Sequence, residues 1–261
     1  MKIPIRILAF VITCIAAWWL WTWYPLPSSA FSSAKDIEIA SRAISNDLEW
    51  FDKNKPFKFE DQSKQRASIL HWLLIHHHIS DEMISKLVEI GSDPCRSGGL
   101  NGGTAALYAT IFGKTHWVKA MIDGSMKADC PQKGHEGLNP TILFAAVTHR
   151  KLDIIKLLLK NGADINYKSF SGMYPINAAN PGAEDIMIYL IDHGAKLTYR
   201  DEDGYLFCAY YPNIPDPVVF PKSYAKYQII RQKAKLQGVD LDCEAERKIR
   251  RPDLFEPEIP E

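Results

Sequence analysis

The apolar positions of the central chain fall into short helical stretches of two kinds, set in pairs. Between Thr141 and Lys168, Ile142, Leu143, Ala145 and Ala146 predict a short helix whose small residues allow close approach. Ile154, Ile155, Leu157, Leu158 and Leu159 predict a second, bulkier one. Gly162 follows as a stop, because the residue that ends a helix commonly enters the left-handed region, where a Cβ clashes with the backbone. Two such helices cannot bury enough apolar surface alone, so the unit has to stack on neighbours.

The neighbours are present in register. Thr104-Ala105-Ala106-Leu107-Tyr108-Ala109, Gly113 and the stretch Trp117 to Gly124 repeat the pattern upstream. Ser68-Ile69-Leu70-His71 and Met83 to Gly91, with Asp93, repeat it further upstream. Downstream, Tyr174 to Ala179 precede Ile186 to Ile191 and Gly194-Ala195. The stops Gly91, Gly124, Gly162 and Gly194 are 33, 38 and 32 residues apart. The close Gly162-Ala163-Asp164-Ile165-Asn166 and the opening Thr141 to Ala146 resemble the GADVN and TPLHxA motifs of the ankyrin repeat family, whose period is roughly 33 residues. The resemblance implies an all-α solenoid of stacked helix-turn-helix units with short β-turn fingers, four to five repeats over residues 66–242. A degenerate last unit runs from Asp203-Gly204-Tyr205-Leu206 to Gly238-Val239-Asp240-Leu241; Pro212, Pro215, Pro217 and Pro221 disrupt it ahead of a helix expected over Ser223 to Gln237. An amphipathic capping helix is expected from Asp36 to Phe51, within a region 36–65, and residues 243–261 form a tail.

The N-terminal pattern is different. Residues 7–24 are strongly apolar and uncharged, and as a helix they span about 27 Å, close to the roughly 30 Å hydrocarbon core. Lys2 and Arg6 precede them, which places residues 1–6 in the cytoplasm and everything after the linker 25–35 on the other side. Trp18, Trp19, Trp21, Trp23 and Tyr24 crowd the outer end, where amphipathic rings favour the headgroup layer, as in a retained single-pass anchor of an inner (cell) membrane. A signal peptide cleaved after Ala30 or Ala34, giving a soluble periplasmic protein, and a lipoprotein signal at Cys14 are the alternatives. A eukaryotic single-pass protein with lumenal repeats also fits.

Charge narrows the partners. The 261 residues carry 31 basic and 31 acidic side chains, a balance that argues against nucleic acid, whose phosphates require a clustered positive surface. Arg247, Lys248, Arg250 and Arg251 form a basic cluster read as a solvated helix end or tail. Cys95, Cys130, Cys208 and Cys243 form an even set for a compartment that permits disulfides, with Cys95 paired to Cys130 and Cys208 to Cys243; buried free thiols are the alternative. His71, His76, His77 and His78 lack zinc-ligand spacing, and no nucleophile elbow, P-loop or dinucleotide fingerprint is present. The family resemblance implies a structural hydrogen bond for His71. No enzyme, metal or cofactor is expected.

A binding surface is expected instead. By register the resemblance places Leu100, Asn101, Leu138, Phe170, Met173, Glu202, Asp203 and Tyr205 on fingers, and Ile75, His76, Ile111, Phe112, Thr148 and His149 on the inner helices of a concave face. Its apolar members are not required by the scaffold and so mark an interaction site, unless irregular loops fold over them. The expected partner is another protein, because a face of four or five repeats can supply the roughly 1,600 Å² that a stable complex buries. An immunity protein that neutralises a toxic effector is one specific expectation; a scaffolding or accessory subunit of an envelope complex is the other.

Overall fold

The structure is a computed structural model and describes residues 26–54, 68–96, 103–131, 141–169, 172–179, 182–199 and 215–239. The segment 7–24, most finger tips, Cys208 and Cys243, and the tail lie outside those residues. Among the described residues no helix is long and apolar enough to cross a membrane. The chain divides into two compact units, one of residues 1–108 with 116–126 and the other of residues 109–115 with 127–261.

The first unit contains α1 (Pro27–Ala30), α2 (Ala34–Ile44), α3 (Leu48–Lys53), α4 (Ile69–His76) and α5 (Asp81–Glu89), with α7 (Thr115–Asp123) all but its first residue. The linker expected over 25–35 is not one. Phe31 is 1% exposed and meets the edge of Trp72 at 5.2 Å, so this stretch packs into the core. The single capping helix expected over 36–51 is likewise two helices. Asn46 turns the chain at φ 56°, a conformation asparagine tolerates, and Asp47 caps α3 by accepting the Trp50 amide at 3.1 Å. α2 packs on α4 and α3 packs on α5, so this pair stacks as a repeat does. Ser80 Oγ donates to Asn46 Oδ1 at 2.7 Å, and Lys86 Nζ donates to Asp52 Oδ1 at 2.8 Å, both across an offset of 34 residues. Ile39, Ala40, Phe51, Leu70, Leu73, Met83, Ile84 and Leu87 are fully buried within it.

The second unit contains α8 (Ile142–Thr148), α9 (Leu152–Lys160), a single 3₁₀ turn η1 (Pro175–Ala178), α10 (Glu184–Asp192) and α11 (Pro221–Leu236). Ile142, Leu143, Ala146, Val147, Ile154, Ile155 and Leu158 are fully buried, and α8 packs against α9 and η1. The opening helix expected from Tyr174 to Ala179 is reduced to that one turn. Pro181 has no amide to donate to the Asn177 carbonyl, and proline disfavours helix in the residue before it. α11 starts at Pro221 rather than Ser223, because proline is well suited to the first helical position. An isolated antiparallel bridge joins Pro131 to Thr141 at the base of a finger.

α6 (Ala105–Ile111) runs from the first unit into the second. The second helices end alike. At residues 91, 125, 162, 194 and 238 an amide bonds three residues back and the next amide bonds five back, with positive φ at the turning residue. This corrects the expected stop at Gly124: the left-handed residue is Ser125, at φ 83°. Gly124 is small for another reason. A Cβ there would lie 2.4 Å from the Ser85 carbonyl oxygen and 2.8 Å from Val88 Cβ, so α7 could not approach α5.

Candidate functional site

The first helices are set in register by their caps. Ser68 accepts the His71 amide at 3.2 Å and Thr104 accepts the Leu107 amide at 3.0 Å, while Thr141 holds the equivalent place before α8. Counting from these caps, Ile75 and His76, Ile111 and Phe112, and Thr148 and His149 occupy equivalent places at the ends of α4, α6 and α8.

Within the first unit, Ile75 is 43% exposed, whereas His76 is half-buried and tilts against Trp72 with centroids 5.6 Å apart. Burial lowers the His76 pKa, and the neighbouring His77 lowers it further. His71 does not belong to a histidine cluster in space: it is buried and lies 5.8 Å from the Tyr108 ring. Among the described residues no group of three or more histidine, cysteine, aspartate or glutamate side chains is placed to hold a metal ion.

Within the second unit, Phe112 is 60% exposed and Ile111 is half-buried. His149 is exposed, but Thr148 is half-buried and its hydroxyl donates to the Phe144 carbonyl at 3.0 Å. Thr148 thus offers methyl surface more than hydrogen-bonding capacity. Met173 is half-buried at the close of a turn in which its amide donates to Ser169 Oγ at 3.0 Å and its carbonyl accepts from the Ser169 amide at 2.9 Å. Leu100, Asn101, Leu138, Phe170, Glu202, Asp203 and Tyr205 lie outside the described residues.

The spacing between finger bases is held by side-chain bonds. Asp129 Oδ1 accepts the Asp164 amide at 2.7 Å. One repeat on, Asn166 accepts the Lys196 amide and donates to the Gly194 carbonyl, each at 3.0 Å. Gln237, just past the end of α11, does the same to the Leu197 amide and the Ala195 carbonyl, each at 2.9 Å. Aspartate, asparagine and glutamine can each accept there, which explains how the repeats keep their spacing while their sequences diverge. Cys95 and Cys130 are both disulfide-bonded.

A charged cleft of about 390 Å³ also lies in the first unit, between α5 and α7. Its groups pair with one another: His116 with Asp81 at 2.8 Å, Lys86 with Glu89 at 3.1 Å and Lys119 with Asp123 at 2.5 Å. Four carboxylates, Glu82 included, face two lysines and one histidine, so the lining keeps an excess of negative charge. Sequence reasoning also missed Val218, Val219 and Phe220, exposed by 87%, 63% and 59%. Its signal was Asp216-Pro217, a pair that commonly starts a turn.

Residues 70–169 match the family profile described as ankyrin repeats (3 copies). The chain is similar to Alpha-latrocrustotoxin-Lt1a of Latrodectus tredecimguttatus, 28% identical over 120 residues, which make up 46% of this chain and 8% of that protein. It is also similar to Protein phosphatase 1 regulatory subunit 27 of Homo sapiens and of Mus musculus, 40% identical over 63 residues, 24% of this chain and 41% of each relative. The chain therefore spans less than half the length of these relatives.

Proposed function

We propose that the ankyrin repeats of residues 70–169, with the helix pairs that flank them, form a non-catalytic protein-binding module. It captures its partner through the exposed ends of the first helices. The observation that carries this reading is Phe112, a large aromatic side chain left 60% exposed beside half-buried Ile111 at the end of α6. Such a group supports a binding role because a few aromatic anchors commonly carry most of an interface's energy. His149 in α8 and Met173 beside η1 add surface in the same unit, and Ile75 and His76 hold the equivalent place in the other. The expected finger residues Leu100, Asn101, Leu138, Phe170, Glu202, Asp203 and Tyr205 extend the surface in this proposal.

The module is tethered by residues 7–24 to an inner membrane and faces the periplasm. The apolar length of that segment supports the tether, and the disulfide-bonded Cys95 and Cys130 support an oxidising compartment. In this setting the module acts as an immunity protein that binds and neutralises a toxic effector. A second reading, an accessory subunit that scaffolds another protein, is favoured by the similarity to a phosphatase regulatory subunit. Affinity capture of the full chain from its native membrane, with Phe112→Glu as control, tests the proposal. A stoichiometric partner lost from the variant supports the surface, and the partner's own toxicity, or lack of it, separates the two readings. The same set of proteins captured by both forms would remove Phe112 from the interface.

A further inference from the structure

α11 is the last helix among the described residues, and its two faces differ. Tyr227, Ile230 and Ala234 are buried where it packs on α10, and Lys226 and Lys233 reach Asp185 and Asp192 of α10. The opposite face carries Ala225, Ile229, Gln232 and Leu236, all exposed, Ile229 by 42% and Leu236 by 84%. Spaced four, three and four residues apart, they form one line along the helix. At about 100° per residue, Lys222 falls on one flank of that line near its start and Lys235 on the other flank near its end. Both lysines are exposed and make no ion pair among the described residues.

A lone exposed leucine is ordinary, but the outer face of a terminal repeat is polar as a rule, because nothing stacks on it. This face instead has an apolar line between cations. α11 carries five basic residues and no acidic one, so a second copy laid on the same face would bring like charges together. The complement lies in the chain that follows. Residues 253–261 contain Asp253, Glu256, Glu258 and Glu261, no basic residue, and the apolar Leu254, Phe255 and Ile259. Gly238, at φ 75°, turns the backbone out of α11. The fourteen residues from Val239 to Asp253 can span about 46 Å. The 16 residues of α11 are about 24 Å long, and the nine of 253–261 cover about 30 Å when extended.

We propose that residues 253–261 fold back along the open face of α11: Leu254, Phe255 and Ile259 cover Ile229 and Leu236, and the neighbouring carboxylates meet Lys222 and Lys235. Apolar burial supplies the adhesion, because ion pairs this exposed are worth little alone, and the charges select an acidic segment over a second copy. The contact closes the C-terminal end of the repeats and keeps another copy from stacking there. It is independent of the protein-binding reading and uses neither Phe112 nor the ends of the first helices.

The test uses the full chain in detergent, as an equal mixture of isotopically labelled and unlabelled protein, treated with a carbodiimide that joins an amine to a carboxylate without a spacer. Coupled peptides are located by mass spectrometry. The expected result is coupling of Lys222 and Lys235 to carboxylates of residues 253–261 within one chain, severalfold above coupling of the exposed Lys160 and Lys168 to the same segment. The triple variant Leu254→Ser, Phe255→Ser, Ile259→Ser and the double variant Ile229→Ser, Leu236→Ser keep every lysine and carboxylate, and each should lower the yield severalfold. Because Ile229 and Leu236 are exposed, circular dichroism should show the double variant folded. No coupling, equal coupling at Lys160 and Lys168, or a yield unchanged in either variant would overturn the proposal. Products joining labelled to unlabelled chains would overturn it in favour of a second copy on this face.

Discussion

Gly124 and Ser125 provide a sharp test of how the second helices pack and end. A Cβ at position 124 would lie 2.4 Å from the Ser85 carbonyl oxygen, 2.8 Å from Val88 Cβ and 3.1 Å from Ser85 Cα, and two of these three atoms belong to the α5 backbone. Ordinary contact begins near 3.4 Å, so Gly124→Ala has to push α7 about 1 Å away from α5. That gap weakens dispersion contacts along both helices and costs about 3 kcal/mol, from which the lower entropy of an unfolded alanine chain recovers about 0.5 kcal/mol. Ser125→Gly acts in the opposite sense. Ser125 is held at φ 83°, and relieving it stabilises the chain by about 0.5–1 kcal/mol after allowing for glycine's freedom when unfolded. Gly162→Ala differs again: nothing lies within 4 Å of its Cβ, and φ of +87° alone should cost about 1 kcal/mol. Urea denaturation of the disulfide-intact chain, followed by circular dichroism, should give midpoints in the order Ser125→Gly, parent, Gly162→Ala, Gly124→Ala. A Gly124→Ala variant as stable as its parent, or a destabilised Ser125→Gly, would refute the assignment of space to one residue and backbone angle to the other.

Asn166→Ala removes the bonds to the Gly194 carbonyl and the Lys196 amide and should cost about 1–2 kcal/mol, with faster hydrogen exchange in α10; unchanged exchange would contradict the bridging role. Lys86 is held above the ordinary lysine pKa by its bonds to Asp52 and then Glu89. Lys86→Met should cost about 0.5–1 kcal/mol, because its carboxylate partners are well exposed, and should loosen α3 in hydrogen exchange. His76 should titrate below 6.5 by NMR, since burial and then His77 favour its neutral form. The unfolded chain then binds more protons between the two pKa values, so stability is fully present above about pH 6.5 and declines as pH falls through the folded pKa. A midpoint at or above 6.5 would count against the buried placement.

The repeat close was legible because its chemistry is local. A run of apolar second-helix residues followed by glycine predicts the turn at 91, 162 and 194, and the structure places positive φ at all three. At 124 the same letter misled, because a glycine kept for close approach and a glycine kept for backbone angle look alike in one sequence. The break at Asn46-Asp47 was also visible in principle: asparagine tolerates the left-handed turn and aspartate caps the next helix, but the surrounding apolar positions continue through it. Phe31 could not be distinguished from a linker residue, since its partner Trp72 is distant in the chain. Register alone located the ends of the first helices, where Ile75, Phe112 and His149 are exposed, but not that His76, Ile111 and Thr148 beside them are half-buried. Their side-chain engagement, such as the Thr148 hydroxyl turned back on its own helix, depended on geometry. The Val218 to Phe220 turn was hidden because its prolines resembled damage to a repeat.

If the ends of the first helices bind a protein, affinity for the captured partner depends on Phe112. Titration calorimetry of the full chain should show Phe112→Ala weakening the complex by about thirtyfold, the effect of an anchor worth about 2 kcal/mol. Lys119→Ala, in the self-paired cleft of the outer helices, should leave it unchanged. Equal affinities for parent and Phe112→Ala, or a loss confined to Lys119→Ala, would place the interface elsewhere.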